Sequence, residues 1–179
     1  MAHSDKPFAL LVDLANRSLA NPRGLPAQQQ VKPTWTGVGF VLSGQLMVAP
    51  MGEIVELLPV PEWTELPGVK GWVKGVANVR GRLLTIVDTE AFLGGQLMGP
   101  QKLRRVMAVE TGELFSGLMV SEVIGMMHFP VDSYIPQIPQ KAAAVAAYSS
   151  GAYVHEGRTW TVLNPFRLIR DSRFMNAAA

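Results

Sequence analysis

Two hydrophobic periods divide the chain. Near the N-terminus the apolar residues Phe8, Leu11, Val12, Ala15 and Leu19 recur as one stripe of a helical period. Ser4 or Asp5 stands where an N-cap belongs and Pro7 falls near the first turn, so an N-terminal amphipathic helix is predicted. Such a helix ordinarily packs on its own domain; the other use is docking a partner. Asn21 to Trp35 (NPRGLPAQQQVKPTW), bearing proline, glutamine and glycine, follows as a linker. The expected organisation is therefore a helix and linker over 1–35, a compact domain over 36–171 and a tail over 172–179.

From Thr36 onward, short strand-like runs alternate with turn signals. Gly37 to Leu42 and Gln45 to Ala49 flank Ser43-Gly44; Val73 to Val79 and Arg82 to Val87 flank Arg80-Gly81. Leu103 to Val109 and Leu114 to Val120 flank Thr111-Gly112-Glu113, and Ala152 to His155 and Thr159 to Leu163 flank Glu156-Gly157-Arg158. Four hairpins with few, short helical pieces make an all-β barrel or sandwich.

The hairpins repeat. VLSGQL around Gly44 is echoed by VETGEL around Gly112, a spacing of 68 residues (44 to 112). RLLTIVDTEAFL from Arg82 is echoed by RTWTVLNPFRLI from Arg158, a spacing of 76 (82 to 158). Each of the latter runs from a strand into a cap residue, Asp88 or Asn164, and then a short amphipathic helix. Two matched pairs in the same order point to one unit used twice. Neither half is large enough to bury a full core alone, so the halves should pack together. MGEIVELLPVP (Met51 to Pro61) and SEVIGMMHFPV (Ser121 to Val131) are apolar counterparts in the two halves.

Composition removes several chemistries. The 179 residues include no cysteine, which excludes disulfides, thiolate metal sites and thiol catalysis and suits a reducing compartment. His3, His128 and His155 show no metal-ligand spacing, so no metal or other cofactor is expected. Ser43, Ser116, Ser121, Ser149 and Ser150 lack a nucleophile elbow or a local base. Paired carboxylates among Glu53, Glu56, Asp88 and Glu90 would have to converge through space, and Asp88 is already spoken for as a cap. No catalytic set is therefore expected. The apolar run Phe8 to Val12 is too short for a signal peptide, and no stretch reaches the roughly 18 apolar residues of a membrane span. A cytoplasmic protein without direct membrane insertion is expected.

Sixteen Lys and Arg nearly cancel 14 Asp and Glu, leaving a net charge of +2 and a pI of 9.1. A small barrel carrying Trp35, Trp63, Trp72 and Trp160 with Arg80, Arg82, Arg104 and Arg105 keeps nucleic-acid binding as the alternative reading. Core tryptophans are the simpler explanation, and Glu62 and Glu65 flank Trp63, so no nucleic-acid partner is expected. Nine methionines add flexible apolar surface suited to protein partners.

KGVANVRGRL (Lys74 to Leu83) carries charges without any acid or nucleophile beside them. VKGVANVRGRLLTIVDTEAFLG, from Val73 to Gly94, closely resembles the signature of the CheW family, adaptors that couple chemoreceptors to a CheA-type histidine kinase. The Lys74-Gly75 pair, the Asn78-Val79-Arg80-Gly81 turn, the apolar strand and the Asp88 cap all match. GVGFVLSGQLMVAPMGEIVEL and RRVMAVETGELFSGLMVSEVIGM extend the likeness, which spans about Gly37 to Ile169. PFALLVDLANR, GLPAQQQ and HFPVD look like the branch of the family that serves type IV pili and twitching motility.

The resemblance implies two packed five-stranded SH3-like β-barrels around a shared core. Its implied partners are a receptor cytoplasmic tip and the kinase's regulatory domain, with self- or paralogue contacts in array rings and recruitment to the inner membrane by receptors. Ile54, Gly75, Asn78 and Arg80 match positions of receptor or kinase contact, with Glu56 and Lys74 as adjacent candidates. Arg80 would offer its donor fork to a partner or tie the two barrel segments together, with Glu56 a plausible mate. The proline-rich loop Phe129 to Ala147 and the segment Leu57 to Trp72 depart from the family pattern.

Overall fold

The structure is a computed structural model describing residues 6–20, 33–112 and 114–179. It divides into two units, Met1–Lys32 and Pro33–Ala179. In the first, helix α1 (Lys6–Ala20) forms over the predicted stripe, and Asp13 and Arg17 pair at 2.7 Å one turn apart. The proposed Ser4 or Asp5 cap, the linker residues 21–32 and Glu113 lie outside the described residues.

The second unit holds strands β1 (Thr34–Leu42), β2 (Gln45–Pro50), β3 (Glu56–Pro59), β4 (Val73–Val79), β5 (Arg82–Asp88) and β6 (Arg105–Thr111). They are followed by β7 (Leu114–Val120), β8 (Glu122–Pro130), β9 (Tyr134–Ile135), β10 (Ser149–His155) and β11 (Arg158–Leu163). Short helices α2 (Thr89–Phe92), α3 (Pro165–Ile169) and α4 (Ser172–Met175) complete it. All four hairpins form. Strand β6 begins at Arg105 rather than Leu103, because Gln101–Leu103 winds into a 3-10 turn. Strand β1 begins at Thr34, inside the segment read as linker, because Trp35 pairs with Phe129 of β8 and packs on Tyr153. Beyond Asp171, Phe174 is buried and Lys70 N donates to Ala177 O, so the segment read as a tail is bound to the body.

Two curled sheets result, ordered β8-β1-β2-β11-β10-β9 and β3-β6-β7-β5-β4. The two-residue β9 gives the first sheet six strands rather than five. The repeat is interleaved: β1 and β2 of the first half join β8, β10 and β11 of the second, while β6 and β7 of the second join β3, β4 and β5 of the first. Parallel pairing seals each exchange, β11 on β2 and β5 on β7. Neither half can close a sheet without the other.

Each sheet encloses its own small cluster, Val48, Phe129 and Trp160 in the first and Leu84, Ile86 and Val106 in the second. A larger cluster joins the two sheets, uniting Phe40, Leu42 and Met47 of the first with Met107, Leu118 and Val120 of the second. The predicted caps are both made: Asp88 Oδ1 accepts from Ala91 N at 2.9 Å, and Asn164 Oδ1 accepts from Arg167 N at 2.8 Å.

Polar bonds stitch the halves at equivalent points. Ser121, just after β7, donates its hydroxyl to Glu90 Oε1 at 2.7 Å in the first turn of α2, and the same oxygen accepts Ser43 N at 2.9 Å. Glu53, just after β2, accepts from Asn164 Nδ2 at 3.0 Å and from Phe166 N at 3.3 Å at the start of α3. Burial raises the Glu53 carboxyl above its ordinary pKa, with the Phe166 amide and Arg167 pulling the other way.

Candidate functional site

The Arg80-Gly81 turn joins β4 to β5 with both residues in the left-handed region, φ 51° at Arg80 and 81° at Gly81. This is the type I′ geometry that matches the twist of a hairpin and that favours glycine or asparagine. An arginine there is the unusual choice. Asn78 compensates locally, its Oδ1 accepting from Gly81 N at 2.9 Å.

Strands β3 and β4 are the two edges of the second sheet. Arg80 Nη2 meets Glu56 Oε1 at 2.6 Å and so links the turn after β4 to the first residue of β3. The Arg80 side chain is 79% exposed and that of Glu56 24%. One carboxylate orients the guanidinium and leaves much of its donor fork facing solvent.

The six expected contact residues fall into different surroundings. Glu56, Asn78 and Arg80 gather at the turn. Ile54 is half-buried and packs against the cluster joining the sheets. Lys74 points its Nζ at Asp88 Oδ2 (3.6 Å) and Gly71 O (3.4 Å). Gly75, with φ 147°, sits at an irregularity in the β4–β5 register, where a Cβ would lie 2.1 Å from Thr64 O. The close approach admits the Thr64–Val76 bridge, with Thr64 N donating to Val76 O at 2.8 Å and Val76 N to Thr64 O at 2.9 Å. Gly75 thus admits a close backbone approach, and Lys74, a third exposed, reaches from β4 to Asp88 and Gly71.

Three further residues, Arg82, Leu83 and Val55, lie beside these contacts. Arg82 holds Glu110 through two bonds, Nη1 to Oε2 at 3.0 Å and Nη2 to Oε1 at 2.7 Å, and lies 4.1 Å over the Phe115 ring. The paired bond holds the Glu110 carboxyl below its usual pKa and the Arg82 guanidinium above its own. Leu83, opposite Asn78 in the hairpin, is 70% exposed, and Val55, beside Glu56, is 56% exposed. Neither the exposure of Leu83 nor the Glu110 partner was legible from the sequence: Val87, in phase with Leu83, is buried along with Leu84 and Ile86, so alternation does not mark Leu83 as outward, and Glu110 lies 28 residues from Arg82.

Chemically the region offers oriented donors and apolar surface. The four carboxylates from which a pair could arise each have their own partner: Glu53 at α3, Glu56 at Arg80, Asp88 at the α2 cap and Lys74, and Glu90 between Ser43 and Ser121. Among the described residues no group of three or more His, Asp or Glu is arranged to hold a metal ion. The four tryptophans are divided among three clusters: Trp35 and Trp160 pack in the first sheet's cluster, Trp63 on the second sheet's and Trp72 on the one between. No helix among the described residues is long and apolar enough to cross a membrane.

Comparison with known proteins agrees with this architecture. The chain is 47% identical over 178 residues to protein PilI of Pseudomonas aeruginosa, covering 99% of each chain. It is 26% identical over 159 residues to protein FrzA of Myxococcus xanthus, covering 87% of this chain and 96% of that one. The crystal structure of the scaffolding protein TtCheW from Thermoanaerobacter tengcongensis shares the fold with a TM-score of 0.63 at 21% identity, over 73% of this chain and 89% of that one. The CheW-like domain matches residues 36–173. With that match covering both sheets, the chain belongs to the CheW-like domain family.

Proposed function

We propose that this protein is a non-catalytic adaptor coupling a methyl-accepting chemoreceptor to a CheA-type histidine kinase, in a chemosensory system that governs type IV pilus twitching motility. The observation that carries the reading is the 47% identity to PilI along nearly the whole length of both chains. The Arg80 turn supports it physically, because a guanidinium fixed by Glu56 on a hairpin presents a preorganised donor without any base or nucleophile to turn over a substrate. In this reading Arg80, Asn78, Glu56 and Ile54 contact receptor or kinase, while Lys74 and Gly75 hold the hairpin in shape. The adaptor works in the cytoplasm, drawn to the inner membrane by the receptor tip.

The test is affinity capture with the immobilised full chain followed by mass spectrometry. Recovery of one receptor and one CheA-like kinase is expected; recovery of neither, with either partner present in the lysate, contradicts the reading.

A further inference from the structure

The far end of β3 from Glu56 opens on a cavity of about 930 Å³. Pro59 and Arg105 are partners in the β3–β6 register there, and Pro59, Pro61 and Trp63 line the cavity together with Lys102, Arg104 and Arg105. A smaller recess of about 280 Å³ shares Trp63 and Arg104 with it.

None of these three cations has a carboxylate partner among the described residues, whereas Arg17, Arg80, Arg82 and Arg173 each have one. Arg105 Nη1 donates to the carbonyls of Lys102 (2.9 Å) and Arg104 (2.7 Å). Among the described residues Arg104 has one weak contact, Nη2 to Leu97 O at 3.4 Å, and its Nε is shut off from water with no acceptor. That Nε is beyond the reach of a ligand as well, but Nη1 is neither shut off from solvent nor bonded to an acceptor among the described residues, and this part of the fork is what an entering anion meets. Of the acids lining the two recesses, Glu62 and Glu65 are exposed at the rim, and Asp88, buried in the smaller one, is already held by the Ala91 amide and Lys74; Arg104 and Arg105 are half-buried.

We propose that this cavity binds an acidic segment of a partner protein, one whose carboxylates alternate with apolar residues. Carboxylates match the guanidinium fork two bonds at a time. Trp63 and the two prolines supply a stiff apolar wall that loses little freedom on binding, and Trp beside Arg is the composition of interface anchors. A continuous polyanion such as single-stranded nucleic acid fits less well. The rim glutamates repel closely spaced phosphates, and among the described residues Trp63 is the one aromatic side chain lining either recess, where strand binding uses successive stacking platforms.

The site is tested by fluorescence anisotropy of a fluorescein-labelled peptide of Glu-Leu-Glu-Pro repeats titrated with the full chain. Saturable binding is expected, weakened about tenfold by Arg104→Gln or Arg105→Gln, and absent for the peptide with glutamine in place of glutamate. Lys102→Gln, at an exposed position, serves if a half-buried arginine variant fails to fold. Arg158→Gln, at a separate groove beside Lys141, should leave binding unchanged. No binding, an equal loss in Arg158→Gln, or tighter Arg104-dependent binding of oligothymidylate would each overturn the proposal.

Discussion

Arg80 Nη2 and Glu56 Oε1 lie 2.6 Å apart and join the two edge strands of one sheet across a turn that is strained for a non-glycine residue. An ion pair this exposed contributes at most about 1 kcal/mol to folding, so orientation of the guanidinium is its larger consequence.

Arg80→Ala should therefore leave the fold intact and weaken binding to receptor or kinase. Arg80→Gly separates backbone from side chain: glycine suits the left-handed turn, so its stability should stay within about 1 kcal/mol of wild type while binding falls as in the alanine variant. Thermal unfolding together with calorimetric titration against the kinase regulatory domain checks both.

Gly75 and Gly81 should respond differently to alanine. At Gly81 a Cβ meets nothing within 4 Å, so only the backbone conformation is penalised, by about 1 kcal/mol. At Gly75 the Cβ would collide with Thr64 O and break the Thr64–Val76 bridge, a loss of roughly 3 kcal/mol. Urea titrations of the two variants give the comparison.

Glu90 is the buried tie between halves. Glu90→Ala strands the Ser43 amide and the Ser121 hydroxyl and should destabilise by about 2 to 4 kcal/mol. Glu90→Gln keeps one acceptor oxygen and should lose less. The order of the two melting temperatures decides.

The C-terminal cluster sets a pH dependence. Tyr148 OH, Arg173 N and the Arg173 guanidinium all favour ionised Asp171, the tyrosine hydroxyl most, holding its pKa below the ordinary 3.8. Burial, then the Asp171 bond, raises Tyr148 above 10.0. The Asp171 contribution is complete above 3.8 and lost as pH falls through its lowered value; the Tyr148 contribution is complete below 10.0 and lost as pH rises through its raised value. Tyr148→Phe should shrink both limbs in a series of melting temperatures against pH.

Local signals carried much of this fold. Type I′ turns, alternating strands and the Asp88 and Asn164 caps are written within a few residues of one another, and so was the Asn78–Arg80 turn. The exchange of strands between halves was not, since β5 beside β7 and β11 beside β2 are pairings between distant segments that leave no periodicity. The same distance hid the reason for Gly75, which lies across the chain at Thr64, and the gathering of Trp63 with Arg104. The resemblance to a family supplied the barrel pairing that spacing alone left open between barrel and sandwich.

The coupling itself is measured most directly by sedimenting receptor-bearing membranes with purified CheA-like kinase, with and without this protein. The adaptor reading expects kinase in the pellet only when the protein is added, and markedly less with Arg80→Ala. Equal kinase in the pellet whether or not the protein is present would contradict it.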